Sequence, residues 1–359
     1  MTRVLVVDDS PSVRELLVYI LGSDAEMEIV GCAADGNEAV RMAQQRRPDV
    51  ITMDLHMPNM DGFEATRRIM QTCPTPIVIV SGCDDRSELG AGFRAIEAGA
   101  LAVVQRPAGP GNPTHQESSA ALIRAVKSMA EVKVVRRWPR DGARARAMPA
   151  ETAGATLGLS RKLAVIGAST GGPAVLREIL AELSDGCRLP IAIVQHMSSG
   201  FVAGFAEWLS AAAKFPVAVA QQGEFLADGR AYLAPDGFQM GVSRDLCIVL
   251  ERAEPEHGMC PSVSYLFRSI HRDLSRGTAA VLLTGMGKDG ALELRHLKEQ
   301  GAITIVQDRA SAAVYGMPGE AIRQDAAQMI LAPAEIGQAL RTFGQNPAAR
   351  LPLASLEGK

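Results

Sequence analysis

The sequence predicts two successive α/β modules. The first is a flavodoxin-like, five-stranded parallel sheet, and the second is a larger doubly wound α/β domain with a short antiparallel excursion. Three observations lead there. A chain of 359 residues exceeds one ordinary hydrophobic core. Short apolar runs alternate with helical stretches in two separate blocks, interrupted by a basic segment rich in Ala, Gly and Pro. Burial rests on small aliphatic residues, 47% hydrophobic but only 4% aromatic, which suits parallel layers covered on both faces. The expected division is a first module at 1–130, a flexible linker at 131–160, a second module at 161–345 and a tail at 346–359.

Composition excludes several classes. A net charge of −3 argues against a nucleic-acid-binding protein. Cysteines 32, 73, 83, 187, 247 and 260 form no C-x-x-C pair and read as reduced thiols. No stretch reaches 18 uncharged apolar residues, and Met1 leads directly into a strand, so neither membrane insertion nor a secretory leader is expected; the setting is cytoplasmic.

In the first module, strands are expected at Arg3–Val7, Glu28–Ala33, Val50–Met53, Ile77–Ser81 and Ala102–Gln105, with a last helix over about 113–132. With strand order 2-1-3-4-5, Asp8, Asp9 and Asp54 meet at the switch point. Three carboxylates in one crevice repel unless a cation neutralises them, and an all-oxygen donor set suits Mg²⁺. Residues 131–162 then hold eight Lys or Arg against three acids, a tether rather than a folded element.

The second module opens on an apolar strand from Leu163 that runs into Gly167, Ser169 and Gly171, with Pro173 starting a helix. Glycines two residues either side of a serine permit the sharp turn that lifts a nucleophile above a sheet edge. The same turn also suits a phosphate cradle or a purely structural bend. A P-loop, however, needs Lys where Pro173 stands, and a dinucleotide fingerprint needs Gly where Ser169 stands. Strands are expected at 191–195, 278–283 and 303–307, and an antiparallel excursion at 217–220, 231–234, 238–242 and 247–251. Helices are expected at 200–213, 262–275, 291–300 and 333–343. His196 and Asp289 follow two of these strands as Ser169 follows a third, so an open parallel sheet gathers all three at one rim. A hydroxyl, an imidazole to take its proton and a carboxylate to orient that imidazole make a hydrolytic triad. His257, His271 and His296 compete for the base but adjoin no buried strand.

The segment from Val4 to Pro11 with Asp8-Asp9, Met53–Pro58 around Asp54, and Ser81 resemble the receiver domain of two-component response regulators. The resemblance implies that Asp54 accepts phosphoryl from a sensor histidine kinase. It also implies that Asp9, Asp54 and the His56 carbonyl ligate Mg²⁺, with Asp8 acting through water, and that Ser81 and the residue at 106 form the switch. Arg106 replaces the family's lysine, and Val103 its aromatic. The order Ser169, His196, Asp289, with Ile166–Gly172, Val194–Met197, Pro261–Val263, Leu283–Gly290 and Val314–Pro318, resembles chemotaxis protein-glutamate methylesterases. That likeness implies a phosphorylation-gated hydrolase acting on methyl-accepting chemotaxis receptors, releasing methanol and deamidating glutamines. In it, Met286 N–H is an oxyanion donor, Thr170 supports His196, and no cofactor serves the catalytic domain. Cys260 and Ser264 depart from the family's arginine and acid, on what is expected to be the substrate-positioning side. The alternative is a non-catalytic two-component signalling adaptor.

Overall fold

The computed structural model describes residues 1–82, 95–132, 162–184 and 186–345. Positions 133–161, which hold most of the expected linker, and the tail 346–359 lie outside the described residues. In the first module, strands β1 (Thr2–Val7), β2 (Met27–Ala33), β3 (Val50–Met53), β4 (Ile77–Ser81) and β5 (Ala102–Gln105) pair in the order β2-β1-β3-β4-β5, every pairing parallel. Helices Gly36–Arg46 and Gly62–Thr72 bury Ala39, Ala43, Ala65 and Ile69 on one face. Helices Pro11–Gly22 and His115–Ala130 bury Leu17, Leu21, Leu122 and Val126 on the other. Val7 lies opposite Met53, so Asp8 and Asp54 leave adjacent strands at the same edge, and the Asp54 N–H donates to the Val7 carbonyl at 2.9 Å.

The second module carries a seven-stranded sheet ordered β14-β13-β12-β6-β7-β9-β8, all parallel. Its strands are β6 (Leu163–Ala168), β7 (Ile191–Gln195), β8 (Val217–Val219), β9 (Ala231–Leu233), β12 (Thr278–Leu282), β13 (Ile303–Gln307) and β14 (Met329–Leu331). The antiparallel excursion is smaller than expected. Among the described strands, β10 (Gln239–Val242) and β11 (Ile248–Glu251) are the one antiparallel pair, with an isolated antiparallel bridge between Phe225 and Cys247, because residues 220–230 form a crossover that returns β9 beside β8 in parallel. The single helix expected over 262–275 is two, Val263–Ser269 and Arg272–Ser275, broken where buried Ile270 turns extended. Helix Gly316–Arg323 and β14 were not expected; a three-residue edge strand is too short to show an alternation. Of the described cysteines only Cys187 is buried and Cys32 is exposed, so most are not core residues. No helix among the described residues is long and apolar enough to cross a membrane.

The modules touch. Ile96 of the first, 6% exposed, belongs to the same apolar cluster as Phe201, Phe205 and Leu176 of the second, and Val103 packs against it.

Gly62 sits against the backbone that carries Asp54. A Cβ there would lie 2.1 Å from the Asp54 carbonyl oxygen and 2.9 Å from Leu55 Cα, neither of which can swing aside. Gly62→Ala should destabilise the first module by about 1–3 kcal/mol, read as a lower melting transition by calorimetry of the full chain.

Candidate active site

The three triad residues stand at the carboxyl ends of three neighbouring strands, β12, β6 and β7. The Ser169 turn is held from both sides. Its N–H donates to the Thr284 carbonyl at 3.0 Å, while Gly171, at φ +76°, and Gly172 lead into helix Gly172–Leu183. Gly167 allows close packing, since a Cβ there would fall 2.3 Å from Val263 Cγ1. The His196 N–H donates to the Ala168 carbonyl at 2.9 Å, fixing base against nucleophile through the backbone.

Asp289 is the most heavily bonded member. Oδ2 accepts from His196 Nε2 at 2.9 Å and from the Val263 N–H at 2.7 Å; Oδ1 accepts from Ser262 Oγ at 3.0 Å and the Ser264 N–H at 2.9 Å. Burial alone would raise its proton affinity, but the His196 hydrogen bond and charge, with the Ser264 hydrogen bonds, hold the carboxyl far below the usual range. An ionised Asp289 fixes the imidazole as the Nε2–H tautomer, leaving the Nδ1 lone pair buried and unbonded as the acceptor. Ser169 and His196 line one cavity of about 380 Å³, and among the described residues no hydrogen bond joins their side chains. His257 lines the cavity too, but Asp289 bonds to His196.

Met286, 45% exposed, lines the same cavity, and among the described residues its N–H meets no acceptor inside the fold. Thr170 lines it as well. Its carbonyl accepts from Thr284 Oγ1 at 2.9 Å, which ties the Ser169 turn to the loop after β12. Gln195 escaped the sequence reading. Its Nε2 donates to both the Ser169 and His196 carbonyls at 2.8 Å, tying the two turns together; a polar residue ending an otherwise apolar buried strand was the available signal. Ser264 is fully buried behind Asp289 rather than facing a substrate, whereas Cys260 is half-buried beside Met259 at the cavity wall.

First-module residues Leu101 to Val104, Arg124 and Met129 complete the cavity wall over Ser169. Ser169 is 9% exposed.

At the other centre, one oxygen each from Asp8, Asp9 and Asp54 lies within 4.8 Å of the others. Asp8 Oδ2 is buried with no hydrogen-bond partner, and the donors are all carboxylate oxygens, so the residues fit a hard divalent cation. Arg106 reaches the cluster, 3.4 Å from Asp54 Oδ1 and 3.8 Å from Asp8 Oδ2. The Ser81 hydroxyl lies at the end of β4, 3.4 Å from the Gly82 carbonyl, and the His56 side chain is exposed. Burial first, tempered by Arg106, raises the Asp54 carboxyl.

Comparison with known proteins decides the family. The CheB methylesterase family model matches residues 164–340 and the response regulator receiver domain model residues 4–114. Protein-glutamate methylesterase/protein-glutamine glutaminase 1 of Syntrophus aciditrophicus is 51% identical, over 95% of this chain and 97% of its own. The chain belongs to the CheB methylesterase family. The corresponding protein of Nitrosospira multiformis is 52% identical over 95% of this chain and 96% of its own. The crystal structure of the Thermotoga maritima CheB methylesterase catalytic domain matches at 32% identity with a TM-score of 0.50, covering 52% of this chain and all of that one. The modules seen here are thus a receiver and a CheB catalytic domain.

In the receiver, the Asp8 carboxyl is pushed up to about 6, chiefly by burial and then by the Asp54 charge. The folded state therefore holds this proton more tightly than the unfolded chain does. Its stabilisation is complete below about pH 4 and is lost as pH rises through about 6, by at most about 1.4 kcal/mol per pH unit. In divalent-free buffer the receiver's melting temperature should fall more steeply between pH 4 and 7 than in Asp8→Asn, and added Mg²⁺ should restore it at pH 7. Identical slopes would remove Asp8 from this role.

Proposed function

We propose that this CheB-family hydrolase removes methyl esters from glutamate side chains of chemoreceptors in the cytoplasm, releasing methanol. By the same acyl chemistry it deamidates receptor glutamines. The observation that carries the reading is the convergence of Ser169, His196 and Asp289 at one sheet rim, with Asp289 kept ionised. Ser169 Oγ attacks the γ-carbonyl while its proton passes to His196 Nδ1. The collapsing intermediate takes that proton onto the departing methoxide, or amide nitrogen, and leaves an acyl-serine. Water, deprotonated by the same nitrogen, attacks the acyl carbon, and as the acyl–oxygen bond breaks His196 returns that proton to Ser169 Oγ, freeing the product carboxyl group, which ionises in solution. Asp289 stays ionised and steadies the imidazolium through Nε2–H. The free Met286 N–H, beside Ser169 in the 284–290 loop, is suited to stabilising the oxyanion, a contribution typically of about 10²–10³ in rate. A non-catalytic adaptor has no use for a buried carboxylate satisfied by four donors.

Phosphorylation of Asp54 by a sensor histidine kinase is the proposed control. Asp8, Asp9 and Asp54, with the His56 carbonyl, would hold Mg²⁺, which when bound neutralises phosphoryl oxygens. Arg106, 3.4 Å from Asp54 Oδ1, and Ser81 at the end of β4 would meet the phosphoryl group. The receiver wall over Ser169 is what modification would have to loosen.

Ser169→Ala should keep the melting temperature and lower methanol release from methylated receptor membranes by about 10⁴-fold or more. Labelling by a serine-directed phosphonate should vanish with it; retained hydrolysis would remove Ser169 as nucleophile. A small-molecule phosphodonor with Mg²⁺ should raise methanol release by the full chain, and Asp54→Ala should abolish the rise. An undiminished response in Asp54→Ala would place control elsewhere.

A further inference from the structure

Ser264 stands where the family resemblance has an acid, and its surroundings give it work of a different kind. Its N–H donates to Asp289 Oδ1. Its hydroxyl donates to Glu293 Oε2 at 2.7 Å and accepts from the Gly290 N–H at 2.9 Å. Gly290 directly follows Asp289 and takes φ +81°, so the peptide that bears the carboxylate is gripped at its far side by the same serine that grips its oxygen. The Glu293 side chain is 12% exposed and is itself held by Arg268, 3.5 Å away, which also pairs with Glu256.

We propose that Ser264 and Glu293 form a positioning pair for the triad. Glu293 takes the serine proton and thereby turns the hydroxyl lone pairs toward Gly290 N–H, and a hydroxyl that donates to a carboxylate is a stronger acceptor. The turn that aims Asp289 at His196 Nε2 is locked from behind as a result. Two features point away from substrate binding: Ser264 is fully buried, and neither residue lines the Ser169 cavity. Removal should therefore act on the chemical step and spare affinity. The assignment rests on the triad reading above.

Steady-state hydrolysis by full-length Ser264→Ala, Glu293→Ala, the double variant, Ser264→Thr and Glu293→Gln tests it, with each preparation first titrated by the serine-directed phosphonate. Among labelled enzyme, Ser264→Ala should lower kcat by about tenfold with KM within about twofold, and Glu293→Ala should lower it by about threefold. Because Glu293 acts through Ser264, the double variant should be no slower than Ser264→Ala. Ser264→Thr and Glu293→Gln, which keep a hydroxyl donor and an acceptor, should recover most of kcat. Additive losses, an unchanged kcat or a loss confined to KM would overturn the pair. Should Ser264→Ala not fold, Glu293→Ala against Glu293→Gln decides alone, equal rates for the two overturning it. Absence of phosphonate labelling at Ser169 in the unsubstituted chain would instead strike the triad reading itself.

Discussion

A carboxylate withdrawn from water costs several kcal/mol unless its lone pairs are met. Asp289 is met by four donors, three from residues 262–264 and one from His196. Much of the catalytic domain's local architecture follows from that requirement. Helix Val263–Ser269 must begin where its first N–H groups face the loop after β12, with Ser262 serving as both N-cap and ligand to the carboxylate. Gly167 and Gly290 must lack side chains because Val263 is drawn against both, within 2.3 Å and 2.4 Å of where a Cβ would be. The charge that results holds the His196 ring through Nε2, as the proposed base would require.

Most of this fold is legible in the sequence for one reason. The central strands β3, β4, β6, β7 and β12 are short runs of largely aliphatic residues buried along their length, and each run ends close to a polar residue of one of the two centres. Asp8, Asp54, Ser169 and His196 each stand within a residue or so of such an end, so topology alone brings them together. What was not legible depends on contacts between distant segments. β8 reads like a hairpin partner until the 220–230 crossover shows it pairing parallel with β9. Ser264 reads as a lost acid, and only the approach of Gly290 and Glu293 from residues far along the chain shows what its hydroxyl does. Arg106 poses the same problem. A longer side chain than lysine has an unknowable endpoint until the positions of Asp8 and Asp54 are fixed.

The two charged centres solve opposite problems with related means. At Asp289, hydrogen-bond donors and an adjoining imidazole retain the ionised form. At Asp8, burial and a neighbouring carboxylate raise the proton affinity, against the Ser10 N–H and Arg106, and a bound cation would lower it further. The first arrangement is a fixed catalytic instrument. The second is responsive by construction, because its charge state changes with what binds it.

The apolar seam between receiver and catalytic domain sets how firmly the two are held together. Ile96 enters the catalytic core and Val103 rests on it, so the covered form is favoured by a finite packing energy rather than by a rigid lock. A small side chain at 103 fills less of that seam than an aromatic would. Every 1.4 kcal/mol taken from the seam multiplies the undocked fraction about tenfold. The hold of one domain on the other is therefore written into a handful of aliphatic contacts, and drift at those positions would retune it without touching Ser169, His196 or Asp289.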